Sequence, residues 1–312
     1  MNWYNTHIYF SSSKVTETKI ELGRNKEGIL LRDYGDFCEP VNVCVRGACD
    51  ERIYGVEIFA LTRIEALRII DNLVVCHFVI SGDIEENTRE VILRMENPNS
   101  KNRLFLGGDS LFRACCLLKK VFGIQGYMNA VSKYFVAKEI YPLCARQMDP
   151  WNDPFVSEYL LSEQIRISNV IVACYGVLEE LNLQVIASKE NPSVINGEWN
   201  QCVYKDLSMR LKNKKIDPEQ TLPWLTRNGV HRPFKSAVNC ESSCEWSDEK
   251  EILDFNIHIC DAILELSYMR SQLASHKLGD KALMLTAYDA DNAFSLARRV
   301  LLKYFHMDCL DN

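Results

Sequence analysis

The sequence predicts an α+β protein in which an N-terminal domain of mixed strands and helices precedes an all-α helical bundle. Up to about Arg94, short apolar runs rich in Val, Ile and aromatic residues are separated by Gly, Asn and Asp, which is typical of strands and turns. Beyond the loop MENPNSKN, apolar residues recur at helical spacing over longer segments. The 312 residues exceed the usual size of a single core, so two domains are expected.

The N-terminal domain is predicted to be a sheet that carries a helix on one face. Its strand-like runs are GILLRD, VNVCVRG, YGVEIFA and VVCHFVISGD. Before the last of these, TRIEALRIIDNL places Ile64, Leu67, Ile69 and Ile70 on one helical stripe. Thr62 precedes that stripe and is the expected N-cap, because its hydroxyl can accept a hydrogen bond from a backbone N–H of the first turn.

A proline-rich stretch marks the expected domain boundary. Two amphipathic helices are predicted before it, in SLFRACCLLKKVF and YMNAVSKYFVAKEIY. The stretch DPWNDP then places two prolines close together, and proline both breaks helices and disfavours the α conformation of the residue before it. We therefore expect a sensing or regulatory α+β domain over 1–150 and a helical bundle over 151–312.

Four main helices are predicted in the second domain. They are FVSEYLLSEQIRISNVIVACYGVLEELNLQ, QCVYKDLSMRLKNKK, DEKEILDFNIHICDAILELSYMRSQLASHK and TAYDADNAFSLARRVLLKYFHM. The third is expected to begin at a Ser247 or Asp248 cap with a glutamate in its first turn. The segment between Asp217 and Asp248 is expected to be irregular, because prolines and small polar residues interrupt it.

Composition limits the possible partners and compartments. The formal net charge of −6 provides no overall positive field for non-specific binding to nucleic acid, so any RNA contact needs a local basic patch. The N-terminus MNWYNTHIYF lacks the basic and apolar regions of a secretion signal, so the 13 cysteines are expected to be reduced. The longest apolar run, VIVACYGVL, is about half of the roughly 20 residues that a membrane span requires. A cytoplasmic protein without membrane contact is expected.

Most enzyme classes lack their sequence signatures in this chain. There is no G-x-x-x-x-G-K-S/T, G-x-G-x-x-G, H-E-x-x-H or G-x-S-x-G pattern. A structural zinc site would need Cys240 and Cys244 with His231 or His258, but no second pair of closely spaced cysteines follows. We therefore expect neither metal nor cofactor, and ordinary reduced thiols.

The stretch YMRSQLASHKLGD places Arg270 and His276 near the end of a predicted helix. Gly279 is the expected C-cap, so His276 would lie in the last turn, where the helix dipole favours its protonated form. A histidine that titrates near neutrality suits general acid–base catalysis. A guanidinium suits stabilisation of the charge that develops on a phosphate during its cleavage. Together the two side chains could cleave RNA without a metal.

This arrangement resembles the R-x4-6-H signature of the HEPN superfamily. The resemblance rests on Arg270, Ser271 and His276 late on one helix, followed by the final helix YDADNAFSLARRVLL, and on the order of helices from Ser157 to Phe305. It covers about the second half of the chain. It implies a metal-independent endoribonuclease that dimerises so that two motifs meet, with the RNA 2′-hydroxyl as nucleophile and a 2′,3′-cyclic phosphate product. It also implies a toxin or anti-phage defence effector, with a regulatory protein or antitoxin as a further partner.

Two further groups of residues are candidates for RNA binding. Near the signature, Lys277, Arg298 and Arg299 would contribute to a local positive patch, although such residues are also ordinary near helix C-termini. Upstream, Arg227 and His231 form a shorter Arg-Asn to His pattern in a non-helical segment and are interpreted as an RNA-contacting loop or a polar turn.

Three interpretations of the second domain stay open from the sequence. Arg270 and His276 either form a catalytic pair or lie on a solvated helix end. In the second case the bundle is a non-catalytic interaction or nucleotide-binding module in a regulatory or defence complex. Serine at position 271, where active members of the superfamily often have Asn, Asp or His, favours this alternative. A zinc-stabilised adaptor around Cys240 and Cys244 is the third.

Overall fold

A computed structural model describes most of the helical parts of the chain and several strands. The described residues are 2–9, 18–22, 27–33, 54–60, 62–81, 104–105, 108–145, 161–227, 230–237, 242–244, 252–274 and 285–307. The chain divides into two compact units: unit 1 is Met1–Met128 with Cys309–Asn312, and unit 2 is Asn129–Asp308. The proline-rich segment 149–154, where the sequence places its boundary, lies outside the described residues. The broad α+β class predicted from the sequence is confirmed.

Unit 1 contains a five-stranded sheet with the order β2-β3-β4-β1-β5. Its strands are β1 Asn2–Tyr9, β2 Thr18–Leu22, β3 Glu27–Asp33, β4 Tyr54–Ala60 and β5 Leu104–Phe105. The β2–β3, β3–β4 and β1–β4 pairs are antiparallel, and β5 joins β1 in parallel. The runs GILLRD and YGVEIFA are strands as predicted, whereas VNVCVRG lies outside the described residues.

The first helix is longer than the sequence predicts. Helix α1 covers Arg63–Ser81, so the run VVCHFVIS, predicted to be a strand, is helical. The prediction was wrong because this half of α1 is buried almost all round, with Leu73, Cys76 and Val79 fully inaccessible, and it has no polar face to reveal a helical period. The predicted cap is confirmed: Glu65 N–H donates to Thr62 Oγ1 at 3.2 Å, and Thr62 N–H donates to Glu65 Oε2 at 3.1 Å.

Two further helices follow as predicted. Helix α2 covers Gly108–Val121, and α3 covers Gln125–Ala145. Gly123 between them has φ +77°, a left-handed conformation that glycine adopts without a steric penalty. α2 packs against α1 within unit 1.

Unit 2 is not all-α, so the prediction for the second domain was wrong in this respect. Its helices are α4 Leu161–Glu180, α5 Gln201–Asn213, α6 Ile259–Tyr268 and α7 Ala287–Tyr304, with a π-helical turn at Met269–Ala274. Its strands are β6 Val194–Ile195, β7 Glu198–Trp199, β8 Thr221–Arg227, β9 Val230–His231, β10 Ser236–Ala237, β11 Ser242–Cys244 and β12 Ile252–His258. β6 pairs with β7 and β9 with β10, while β11, β12 and β8 form an antiparallel sheet in that order.

The strand β12 replaces the first half of the long helix predicted over 248–277. Along it, Phe255 and Ile257 are buried while Asn256 and His258 are exposed, which is the period-two alternation of a half-buried strand. The helix prediction failed because no glycine or proline separates β12 from α6, and the apolar residues of α6 have helical spacing. β12 pairs with β8 over its whole length, from Ile252 opposite Arg227 to His258 opposite Thr221.

Helix α7 organises the core of unit 2. It packs on α4 and on β8, and its buried face includes Phe294, Ala297 and Leu301. The Phe294 ring is stacked on those of Tyr134 and Tyr141, at centroid distances of 4.7 and 4.6 Å. These two contacts tie α3 to α7, since aromatic pairs contribute beyond the area they bury.

A side-chain amide of α7 completes the hydrogen bonding of β8. Asn292 Oδ1 accepts from Leu225 N–H at 3.0 Å, and Asn292 Nδ2 donates to the Leu225 carbonyl at 2.6 Å. β8 is the last strand of its sheet, so the Asn292 amide occupies the place of a neighbouring strand at this one residue. At the start of α7, Thr286 and Asp289 form a capping box, in which Thr286 N–H donates to Asp289 Oδ2 at 2.8 Å.

Candidate functional site

Arg270 lies on the π-helical turn that continues α6. This turn covers Met269–Ala274, and its Met269 and Leu273 are buried while Arg270 is partly exposed. π-Helical turns are rare and occur frequently at functional sites, because the wider turn redirects side chains from their regular helical positions. The local structure therefore presents Arg270 at the surface on an unusual piece of backbone.

The Arg270 guanidinium is positioned by two side chains of α4. Its carbon is 5.4 Å from the centroid of the Tyr175 ring, a cation–π contact, and one nitrogen is 3.4 Å from Glu179 Oε1. The Tyr175 hydroxyl lies 3.3 Å from Ser267 Oγ of α6. Burial raises the pKa of Tyr175, so its hydroxyl keeps its proton at neutral pH. We call these four residues, Arg270, Tyr175, Glu179 and Ser267, the Arg270 site.

An incoming anion can compete for Arg270. The side chains of Arg270 and Glu179 are 41% and 40% exposed, and exposed ion pairs typically contribute only about 0–1 kcal/mol. A phosphate offers charge-assisted, bidentate hydrogen bonds to a guanidinium, which are about twice as strong as neutral ones. The Arg270 site is therefore chemically able to bind a phosphate once Glu179 turns away.

The rest of the predicted catalytic segment is only partly described. Ser271 Oγ donates to the carbonyl of Tyr268 at 3.3 Å, within its own helical segment. His276 and Lys277 lie outside the described residues, as does the predicted C-cap Gly279. The pairing of Arg270 with His276 therefore remains a prediction.

Arg299, one of the basic residues of α7 that the sequence proposes for RNA binding, contacts the backbone of β8. The Arg299 guanidinium donates to the carbonyl of Thr221 at 3.1 Å, which ties α7 to the first residue of β8. Arg298 is its neighbour on α7 and is partly exposed. This contact of Arg299 is compatible with a structural role in holding the sheet against the helix.

The upstream pattern of Arg227 and His231 spans two short strands. Arg227 is the last residue of β8 and pairs with Ile252 of β12. His231, in β9, is only 5% exposed, and its ring stacks on Phe234 at a centroid distance of 4.6 Å. Burial and the charge of Arg232 lower the pKa of His231 to about 4. This environment favours an internal, neutral histidine over a residue that contacts RNA.

Beside His231 lies a cluster of charges that the sequence did not predict. Arg232 donates to Asp289 Oδ1 at 2.7 Å and to Asp289 Oδ2 at 3.0 Å, and its guanidinium also donates to Glu265 Oε1 at 3.3 Å. Its backbone N–H donates to Glu265 Oε2 at 3.2 Å. Glu265 and Asp289 are each only 3% exposed. We call His231, Arg232, Glu265 and Asp289 the buried ion cluster.

The buried ion cluster joins three elements of unit 2. His231 belongs to the β9–β10 hairpin and Arg232 follows it, Glu265 lies on α6, and Asp289 is in the first turn of α7. One sequence signal was present: Glu265 interrupts the apolar face of CDAILELSY, where a charge needs a buried partner. The identity of that partner depends on folding, because Arg232 and Glu265 are 33 positions apart.

The zinc alternative requires Cys240 and Cys244 together with His231 or His258. Among the described residues, no group of three or more His, Cys, Asp or Glu side chains could hold a metal ion. Cys240 lies outside those residues. The ring Nδ1 of His258 is 2.8 Å from the carbonyl oxygen of Glu219, so this nitrogen already has a hydrogen-bond partner.

Among the described helices, none combines the length and the apolar composition that a membrane span requires.

A shallow cleft on unit 2 offers a second candidate site. It has a volume of about 420 Å³ and lies between α5 and the residues that precede β8. Its lining includes Lys205, Lys212, Tyr204, Ser208 and Glu219, and the Tyr204 hydroxyl donates to the Glu219 carboxylate. The lining is mixed in charge: Lys205 and Lys212 are exposed and can contact an anion, while the Glu219 carboxylate is already engaged by Tyr204.

Comparison of the chain with protein families, with curated proteins and with solved structures found no match. The resemblance to the HEPN superfamily therefore depends on Arg270, Ser271, His276 and the order of the helices.

Proposed function

We propose that the protein is a metal-independent endoribonuclease of HEPN type that acts as a homodimer. The observation that supports this most is the placement of Arg270: its guanidinium is partly exposed, lies on a π-helical turn and is held against the face of Tyr175. A guanidinium fixed in this way binds a phosphate with little loss of side-chain freedom. The final helix α7 follows it in the chain, in the order expected from the resemblance.

In this proposal each residue of the pair has a separate task. Arg270 binds the scissile phosphate and stabilises the negative charge that builds up on it during cleavage. His276 acts as the general acid–base group: it assists the attack of the RNA 2′-hydroxyl or protonates the leaving 5′-oxygen. The product carries a 2′,3′-cyclic phosphate. Ser271, Lys277, Arg298 and Arg299 would support RNA binding near this pair.

The biological setting is proposed from the same resemblance. The protein would be a cytoplasmic toxin or anti-phage defence effector, with RNA as its substrate and a regulatory protein or antitoxin as a possible partner. The N-terminal domain would sense a ligand or partner and control the nuclease.

The experiment that tests the catalytic pair is RNA cleavage by matched variants. Wild type, Arg270→Ala, His276→Ala and the control Arg68→Ala, an exposed arginine of α1, are incubated with cellular RNA in EDTA. Loss of a transition-state contact typically lowers such rates by about 100-fold or more. We expect that loss in the first two variants and none in Arg68→Ala. Equal cleavage by all four proteins would refute the assignment of the pair.

The α5 cleft favours the second candidate function, a non-catalytic module that binds nucleotides. Lys205 and Lys212 would contact the phosphates in this case, and Tyr204 would lie beside the base or ribose. Calorimetry with ribonucleoside mono- and triphosphates tests it. Binding that Lys205→Ala and Lys212→Ala weaken, but the exposed control Lys189→Ala does not, would support the module. Absence of binding by the wild type would exclude this use of the cleft.

A further inference from the structure

The buried ion cluster carries one more negative than positive charge when its histidine is neutral. Arg232 is its only permanent cation, and it faces the two carboxylates of Glu265 and Asp289. Both carboxylates are almost inaccessible to water, so solvent screens the excess charge poorly. A buried site of this kind is stabilised when it binds one additional proton.

The position for that proton lies between His231 and Glu265. His231 Nδ1 is 3.5 Å from Glu265 Oε2, and neither ring nitrogen of His231 has a hydrogen-bond partner among the described residues. A buried nitrogen without a partner is uncommon and costs free energy. A proton between Nδ1 of His231 and Oε2 of Glu265 would give Nδ1 a hydrogen-bond partner. It would also neutralise the excess negative charge of the cluster.

The groups that face Glu265 come from two directions in the described part of unit 2. Arg232 and His231 approach from the β9–β10 hairpin, and Asp289 approaches from α7. On α6 itself, Asp261 is engaged by Trp199, whose indole N–H donates to Asp261 Oδ1 at 2.6 Å. The proton affinity of Glu265 is therefore set by the attraction of Arg232 and the repulsion of Asp289.

We propose that the buried ion cluster binds one proton between His231 and Glu265 near neutral pH and releases it in mild alkali. With the proton bound, the cluster is neutral and holds the hairpin to α6 and α7. Without it, the cluster retains an unbalanced buried charge and this attachment weakens. The cluster is thus a proton-sensitive clasp, and it does not depend on the nuclease proposal.

The directions of the two pKa shifts agree with this geometry. Burial raises the pKa of Glu265 from 4.5 to about 7, although Arg232 opposes the rise and Asp289 adds to it. Burial lowers the pKa of His231 from 6.5 to about 4. For Glu265 the contribution to stability is present below pH 4.5 and is lost as pH rises through 7. For His231 it is present above pH 6.5 and is lost as pH falls towards 4.

In the wild type, the changes of stability with pH that Glu265 and His231 contribute nearly cancel. In a variant that lacks Glu265, the contribution of His231 is observed alone. Between pH 4.5 and 6.5 the unfolded chain has its proton on the histidine, whereas the folded chain has its proton in the cluster. Glu265→Gln removes the carboxylate and leaves a buried histidine that resists protonation. The stability of this variant should therefore fall in acid more steeply than that of the wild type.

The test compares unfolding equilibrium constants of the full-length wild type and Glu265→Gln between pH 8.5 and 5.5. The ratio of variant to wild type should stay level above pH 8 and rise by about twentyfold from pH 7.5 to 5.5, because the folded wild type binds one more proton than the variant. Glu190→Gln, an exposed loop control, should show no pH-dependent ratio. A ratio for Glu265→Gln that does not change with pH would overturn the proposal.

A second measurement covers the case in which Glu265→Gln does not fold. In wild type labelled with ¹³C at glutamate carboxyl groups, one resonance should titrate near pH 7, well above exposed glutamates. Glu265→Asp retains the charge and should remove this resonance from the labelled set. If every labelled carboxyl in the wild type titrates below pH 6, or if Glu265→Asp retains the resonance, the cluster does not hold the proton.

Discussion

Arg232→Met removes the cation on which the buried ion cluster depends and retains most of the length of the side chain. Its guanidinium makes two short hydrogen bonds to Asp289, at 2.7 and 3.0 Å, and a longer one to Glu265 at 3.3 Å. The variant leaves both carboxylates buried without a cation. The change is therefore expected to destabilise unit 2 far more than loss of a surface charge would.

The expected magnitude follows from these contacts. Hydrogen bonds to charged groups contribute about 1.5–3 kcal/mol each, so the two short bonds alone suggest roughly 3–6 kcal/mol. Proton uptake by Glu265 relieves part of the remaining repulsion. A net loss of about 3–5 kcal/mol in the free energy of unfolding is expected, in line with other broken buried ion pairs. For a domain of this size the midpoint of thermal unfolding should fall by roughly 10 °C.

Chemical and thermal unfolding at pH 7 measure this loss, with Lys235→Met as the matched control. Lys235 lies in the same hairpin loop and is exposed, so its replacement changes the net charge equally and should alter the unfolding free energy by less than about 0.5 kcal/mol. The double variant Arg232→Met/Glu265→Leu should recover part of the loss, because it replaces a buried carboxyl group that has lost its cation with an apolar side chain. A loss below about 1 kcal/mol for Arg232→Met would refute the reasoning that the cluster is buried and coupled.

Two further variants test other contacts of α7. Asn292→Leu removes both hydrogen bonds to Leu225 and leaves its backbone N–H and carbonyl without partners, so unfolding measurements should show a loss of about 2–4 kcal/mol. The exposed neighbour Ser295→Ala should be neutral, and an equal effect of both changes would argue against the amide contact. Phe294→Leu removes two stacked aromatic contacts and should destabilise unit 2 by about 1–3 kcal/mol in the same measurements. If the loss in unfolding free energy of the double variant Phe294→Leu/Tyr141→Leu equals the sum of the losses in the two single variants, the two rings are not energetically coupled.

The sequence predicted those elements whose local pattern matches their environment. β3 and β4 were recognised as short apolar runs, and α2, α3, α5 and α7 as amphipathic segments. The second half of α1 was predicted as a strand because all of its residues from Leu73 to Ile80 except Val75 are buried, which leaves no polar face. Local periodicity therefore identified helices such as α5 and α7, in which buried and exposed residues alternate along the chain, and failed in the second half of α1, where almost every side chain is covered.

The sheet of unit 2 was missed for a different reason. β12 and α6 follow each other directly in the chain, and no glycine or proline marks the junction at His258. The alternation of Phe255 and Ile257 with exposed residues was present but short, so the helical period of α6 dominated the prediction. The strand exists because β8 pairs with it, and this pairing joins residues far apart in the chain.

Candidate site residues were predictable only where their chemistry is local. Arg270 was selected by its spacing to His276, and the structure adds Tyr175 and Glu179, which come from α4 and could not be inferred from that spacing. The buried ion cluster is the extreme case, because Arg232 and Asp289 are 57 positions apart and meet only in the folded chain. A single sequence can indicate that a charged residue such as Glu265 lies on an apolar face, but it does not identify the distant residue that pairs with it.

The measurement that tests the central claim most directly is the nature of the RNA ends left by the wild type in EDTA. A defined oligoribonucleotide is compared with one that carries a single 2′-deoxy nucleotide at the cleavage position, and the masses of the products are measured by mass spectrometry. The account predicts a 2′,3′-cyclic phosphate end and no cleavage next to the deoxy nucleotide, because the 2′-hydroxyl is the nucleophile. Cleavage at the deoxy position, or a requirement for added metal, would contradict it.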